Sequence, residues 1–169
     1  MGIARGAENG RRRLFFLWQA ARGAAIGLDA PQHSQRRGIV VATITVEVAP
    51  GELIDKIAIL QIKLERMTDP AKLKNVRIEF DTLAAARDAA IPPSPEMDAL
   101  AAELKEINER LWAIEDDIRD CERAKDFGPR FVELARAVYF TNDRRAEAKR
   151  RINDLLGSRI VEEKSYAAY

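Results

Sequence analysis

Apolar residues recur at Leu100, Leu104, Ile107, Leu111, Ile114, Ile118 and Cys121, at intervals that alternate four and three. This is a heptad seam, and it dictates a long helix over residues 96–123. Such a helix spans roughly 40 Å at ~1.5 Å per residue, well beyond the ordinary globular helix. Its apolar stripe cannot face water, so other helices or a second copy of the chain must cover it.

The rest of the chain is punctuated around this seam. In Thr43-Ile44-Thr45-Val46-Glu47-Val48 the alternation predicts a short strand, and Arg159-Ile160-Val161-Glu162 is the candidate to pair with it. A first helix is expected over 52–67, with Leu53, Ile57, Leu60, Leu64 and Met67 as its stripe. Asp69 as N-cap and Pro70 as first residue open a second helix, which runs to about residue 89. Ile91-Pro92-Pro93-Ser94-Pro95 forbids helix and restarts the chain as the long third one. Asp126-Phe127-Gly128-Pro129 turns it into a fourth, which ends at Gly157. The expected fold class is therefore all-α. Two antiparallel helical hairpins form a four-helix bundle, or an elongated coiled-coil hairpin that pairs with a second chain.

A chain of 169 residues, 47% hydrophobic and 33% charged, suits one such domain, expected over 39–169. Residues 1–38 carry seven arginines against Glu8 and Asp29, so about +5, and the remainder is about −4. That first segment reads as a disordered basic extension, although Arg12-Arg13-Leu14-Phe15-Phe16 has the look of a twin-arginine export signal. The acidic body argues against a nucleic-acid partner, and no run approaches the ~20 apolar residues that span a bilayer. Cys121 is the only cysteine and His33 the only histidine, so no disulfide, zinc cluster or histidine triad can be assembled. Cys121 lies on the seam as a small core residue.

The fourth helix carries Phe131, Leu134 and Val138 inward, but the same spacing then lands on Thr141, Arg145 and Ala148 before Ile152 restores it. Folding the hairpin back at residues 126–129 places Asn108 opposite Arg145 and Leu104 near Lys149, with Trp112 and Glu115 one turn away. A buried arginine without a partner is expensive, so Arg145 should pair with Glu115, Asp116 or Asp55, or hold an anionic ligand. Asn108, Trp112, Glu115, Asn142, Arg145 and Lys149 are therefore the candidate polar core or anion site. Arg144, Arg150 and Arg151 extend a basic cluster, with Glu147 and Asp154 spaced to form surface ion pairs within it. Asp116-Asp117-Ile118-Arg119-Asp120 fits a magnesium-diphosphate DDxxD pattern, but Asn142-Asp143 lacks the ligands needed for a second cluster.

From residue 43 onward the chain resembles a family of small bacterial proteins classed as a domain of unknown function. The resemblance rests on Pro50-Gly51-Glu52-Leu53-Ile54-Asp55-Lys56-Ile57, on Leu111-Trp112 with Ile114-Glu115-Asp116, on Asn142-Asp143 with Arg145-Ala146 and Lys149, and on Gly157-Ser158 with Glu162-Glu163-Lys164-Ser165-Tyr166. It implies the domain boundary and no activity. A second similarity, to the all-helical chorismate mutases, lies in Ile54-Asp55-Lys56-Ile57 with Glu65-Arg66. It implies a cofactor-free enzyme that grips a dicarboxylate with Arg66, Arg145 and Lys149, but Thr68-Asp69-Pro70 stands where further basic residues are expected. The reading that follows is a cytoplasmic, homodimeric, non-catalytic interaction or scaffold module for a protein partner as yet unknown, with no cofactor and no metal. The alternative is a small-anion-binding or chorismate-mutase-like helical enzyme.

Overall fold

The structure, a computed structural model, describes residues 44–165. The basic extension expected over 1–38 lies outside the described residues. The helices belong to one compact unit that begins at Val46.

Four helices follow in order: α1 Pro50–Arg66, α2 Pro70–Ala90, α3 Pro95–Ala124 and α4 Pro129–Leu155. Each opens on proline, whose missing N–H is one that a first helical turn leaves unbonded anyway. Asp69 caps α2 by accepting from the backbone N–H groups of Ala71 and Lys72 at 2.9 and 3.3 Å. Ser94 caps α3 by accepting from Met97 N–H at 3.1 Å. Gly157 takes the left-handed conformation, φ 61°, just past the end of α4.

The strand expected from residue 43 does not form among the described residues, and neither does its pairing near the C-terminus. Val46 and Val48 are 68% and 50% exposed, so no buried face exists to hold a ladder. A side-chain bond from Arg159 to Glu47, 2.8 Å between Nε and Oε1, joins the two segments instead. Pro50-Gly51, expected to end that strand, is the first turn of α1.

Both hairpins are antiparallel. Lys56 meets Glu79 at 2.7 Å across the first, and Glu103 meets Arg151 at 2.8 Å across the second. α1 is the shared element: α2 packs along it, and it packs in turn on α3 and α4, which have the most extensive contact of all. Leu60 and Ile62 of α1, Leu104 and Leu111 of α3 and Ile152 of α4 form the fully buried centre. α1 has 17 residues and α3 has 30, so α1, about 25 Å long, cannot cover the whole of a helix about 45 Å long. The heptad seam records where this cover ends. Leu100, Leu104, Ile107 and Leu111 are buried, Ile114 and Ile118 are half-buried, and Cys121 is buried again.

Beyond Leu111 the second hairpin continues as a two-helix arm. Phe127, Val132, Tyr139 and Phe140 are 51%, 53%, 36% and 38% exposed there. Phe127 meets Phe131 edge-on at 5.3 Å, and Arg136 lies over the Phe140 ring at 5.8 Å.

Candidate functional site

The polar interruption of α4 is answered from α1. Asp55 stands among Ile54, Ile57 and Ala58 and is 3% exposed. A lone carboxylate at that depth would be strongly destabilising. Its Oδ1 accepts from Arg145 Nε at 2.8 Å and from Asn108 Nδ2 at 2.9 Å, while a second guanidinium nitrogen of Arg145 meets Oδ2. The two-point fork fixes both the distance and the rotation of α1 against α4. Asn108 adds α3 to the same carboxylate, and its amide orientation follows, because the NH2 must face the oxygens.

One turn towards the start of α1, Lys149 lies between two acids, Glu52 of α1 and Glu162 of the segment after α4, the latter at 2.6 Å. Its side chain is 10% exposed. Asn153, one turn further along α4, accepts from the Gly51 N–H at 2.7 Å. Gly51 is required by this close approach: a Cβ there would come within 2.5 Å of the Lys149 carbonyl oxygen and 3.0 Å of its Cα. Backbone atoms cannot step aside, so glycine is what allows α1 to start against α4.

Burial works against the charge of Arg145, but its bonds to Asp55 outweigh that, with Glu52 and Glu162 adding, and its pKa is raised. Burial likewise disfavours the Lys149 ammonium, yet the bonds to Glu162 and Glu52 hold its pKa above the ordinary value. For Glu162 burial is outweighed by Lys149, and its carboxyl titrates lower than usual. Lys164 goes the other way. Burial lowers its pKa, Lys149 and Arg145 lower it further, and Glu162 and Asp143 offset only part.

Of the six residues singled out in the sequence, Asn108 and Arg145 meet on Asp55, and Lys149 is one helical turn away. The other three do other work. Glu115 is buried and pairs with Arg119 at 3.0 Å. Trp112 carries Arg66 over its ring at 5.9 Å. The Asn142 amide bonds back to the Val138 carbonyl at 3.0 Å. Glu52, Asn153, Glu162 and Lys164 are not among the candidate site residues read from the sequence, although Glu52, Glu162 and Lys164 stand in the stretches that carry the family resemblance. Glu52 and Asp55 share a helix face three residues apart, a signal that was available; nothing local marks Glu162.

Arg150 and Arg151 of the basic cluster are ion-paired, but not with Glu147 and Asp154. Arg151 takes Glu103 from α3, and Arg150 lies 3.7 Å from Glu163. The three cations of the chorismate-mutase resemblance are not gathered. Arg66 ends α1 while Lys149 meets its first turn at Glu52, ~21 Å apart along the helix. No group of described residues is arranged to hold a metal ion, and no described helix is long and apolar enough to cross a membrane. The members of the cluster are carboxylates, amides and cations. They can lock helices together or hold an oxyanion.

No curated protein and no solved structure matches the chain. Residues 44–169 match the family of unknown function DUF6165, a span that takes in all four helices and the whole polar cluster, and the chain belongs to that family.

Proposed function

We propose that the chain is a non-catalytic helical interaction module that works as a homodimer through the distal arm of α3 and α4. The observation that carries this reading is the exposed aromatic surface of the arm. Val132, Tyr139 and Phe140 stand at i, i+7 and i+8 on α4, an apolar stripe that is 53%, 36% and 38% exposed. A second copy suits it because the arm carries both signs of charge. Its α3 side has Asp116, Asp117, Asp120 and Glu122 against Arg119 and Arg123, and its α4 side has Arg130 and Arg136 against Glu133. Two arms packed antiparallel set acidic against basic sides while covering both stripes.

The chorismate-mutase-like alternative is disfavoured by the pairing of Arg145 with Asp55 and of Lys149 with Glu52 and Glu162. On the preferred reading residues 39–169 are one helical domain of a bacterial cytoplasmic protein, residues 1–38 are an appended basic segment, and the dimer presents a scaffold to a further protein. Sedimentation at micromolar concentration should give twice the 19.0 kDa chain mass. A clean monomer overturns the reading.

A further inference from the structure

The segment 158–165 lies along α4 as a strap, and its attachment is polar. Besides the Lys149–Glu162 pair, Arg150 donates to the Glu162 carbonyl at 3.4 Å and Lys164 to the Asn142 carbonyl at 3.5 Å, both long. Val161 is 53% exposed, so little apolar burial holds the strap down. Beneath it is an open-sided cleft of about 290 Å³, lined by Asp143, Lys149, Arg150, Asn153, Glu162 and Lys164 among others. That volume suits a small ligand.

Lys149 has two carboxylates where one would neutralise it. Glu52 belongs to the rigid first turn of α1, whereas Glu162 belongs to the weakly held strap. If the Glu162 side chain swings out, Glu52 keeps the buried ammonium paired, and the core is not left with an orphaned charge. The lock at Asp55 is untouched. Lys164 and Arg150 remain at the cleft.

We infer that the Glu162 carboxylate occupies a small oxyanion site, formed by Lys149, Lys164 and Arg150, and that this side chain is displaceable from it. The ligand is a phosphate or carboxylate, one anionic group of which takes the place of the Glu162 carboxylate beside Lys149. This inference is independent of the dimer.

The test is calorimetric titration of the full chain with pyrophosphate and, separately, with malonate. Glu162→Gln removes the internal competitor and should bind one or both at least about tenfold more tightly than the unaltered chain. Adding Lys164→Ala should abolish that gain, with the circular dichroism of the helices unchanged. Amide resonances of residues 158–165 in the unaltered chain should move on titration while those of α3 stay. Tighter pyrophosphate assigns a phosphate ligand, and tighter malonate a carboxylate. Absence of both gains, or a gain that survives Lys164→Ala, overturns the site, whatever the oligomeric state proves to be.

Discussion

The two halves of the α3–α4 hairpin leave opposite kinds of group to be satisfied. In the proximal half, under α1, buried charges meet inside the chain: Asp55 with Arg145 and Asn108, Lys149 with Glu52 and Glu162. In the distal half Phe127, Val132, Tyr139 and Phe140 stand partly open to solvent, because α1 is too short to follow α3 to its end. The polar half is closed on itself and specifies geometry. The apolar half is open and specifies an encounter. Composition does not separate them, since both run through the same two helices; coverage by α1 does.

The sharpest break of this contrast is Arg145→Ala, which leaves Asp55 buried and uncompensated and should cost about 3–5 kcal/mol in a denaturant titration. Arg145→Met should also destabilise, and combining it with Asp55→Leu should recover most of the loss. If Arg145→Met alone stabilises the chain, Arg145 is not a structural partner. Next in size is Gly51→Ala, where the added Cβ presses on the Lys149 backbone, with an expected loss of about 1–3 kcal/mol and a lower melting temperature. A melting curve unchanged by this substitution would show that α1 does not start against α4.

Acid should act on the strap before it acts on the core. Glu162 has a folded pKa below its ordinary 4.5, so its contribution is present above that value and is lost as the pH falls through the lower folded one. Lys149 has the opposite sense. Its contribution is present below 10.5 and is lost as the pH rises through its raised folded value. The Glu162 side chain is 44% exposed, and solvent screening limits its share to about 1 kcal/mol or less. Amide protection of residues 158–165 should therefore fall as the pH drops below 4.5 through the lower folded value while α1 stays protected, and an equal loss of protection in α1 would contradict the division. Smallest in stability is Val132→Glu with Tyr139→Glu on the open face. It should change the unfolding free energy by no more than about 0.5 kcal/mol, yet hold the chain at monomer mass. A large stability loss there would mean that the stripe is part of the fold.

Much of the fold is legible in the chain because its signals are local. Pro70, Pro95 and Pro129 open helices, Asp69 and Ser94 cap them, and the four-three spacing from Leu100 to Cys121 demands one long helix. The turn at 126–129 even sets the register that brings Asn108 and Arg145 to one place. Pro50-Gly51 was less legible, since proline and glycine also end strands, and only the approach of the Lys149 backbone shows why glycine sits inside a helix.

What the sequence determined by itself was helix length, helix order and the need for a partner at Arg145. Which acid takes that partnership, and where the cover of α3 stops, only the tertiary structure decided. Glu115, Asp116 and Asp55 are equivalent as charges along the chain. The choice among them depends on how α1 is rotated against α4, a relation 90 residues apart in sequence. Glu162 and Lys149 make the same point, because a carboxylate in an irregular segment carries no periodicity to announce the cation it will meet.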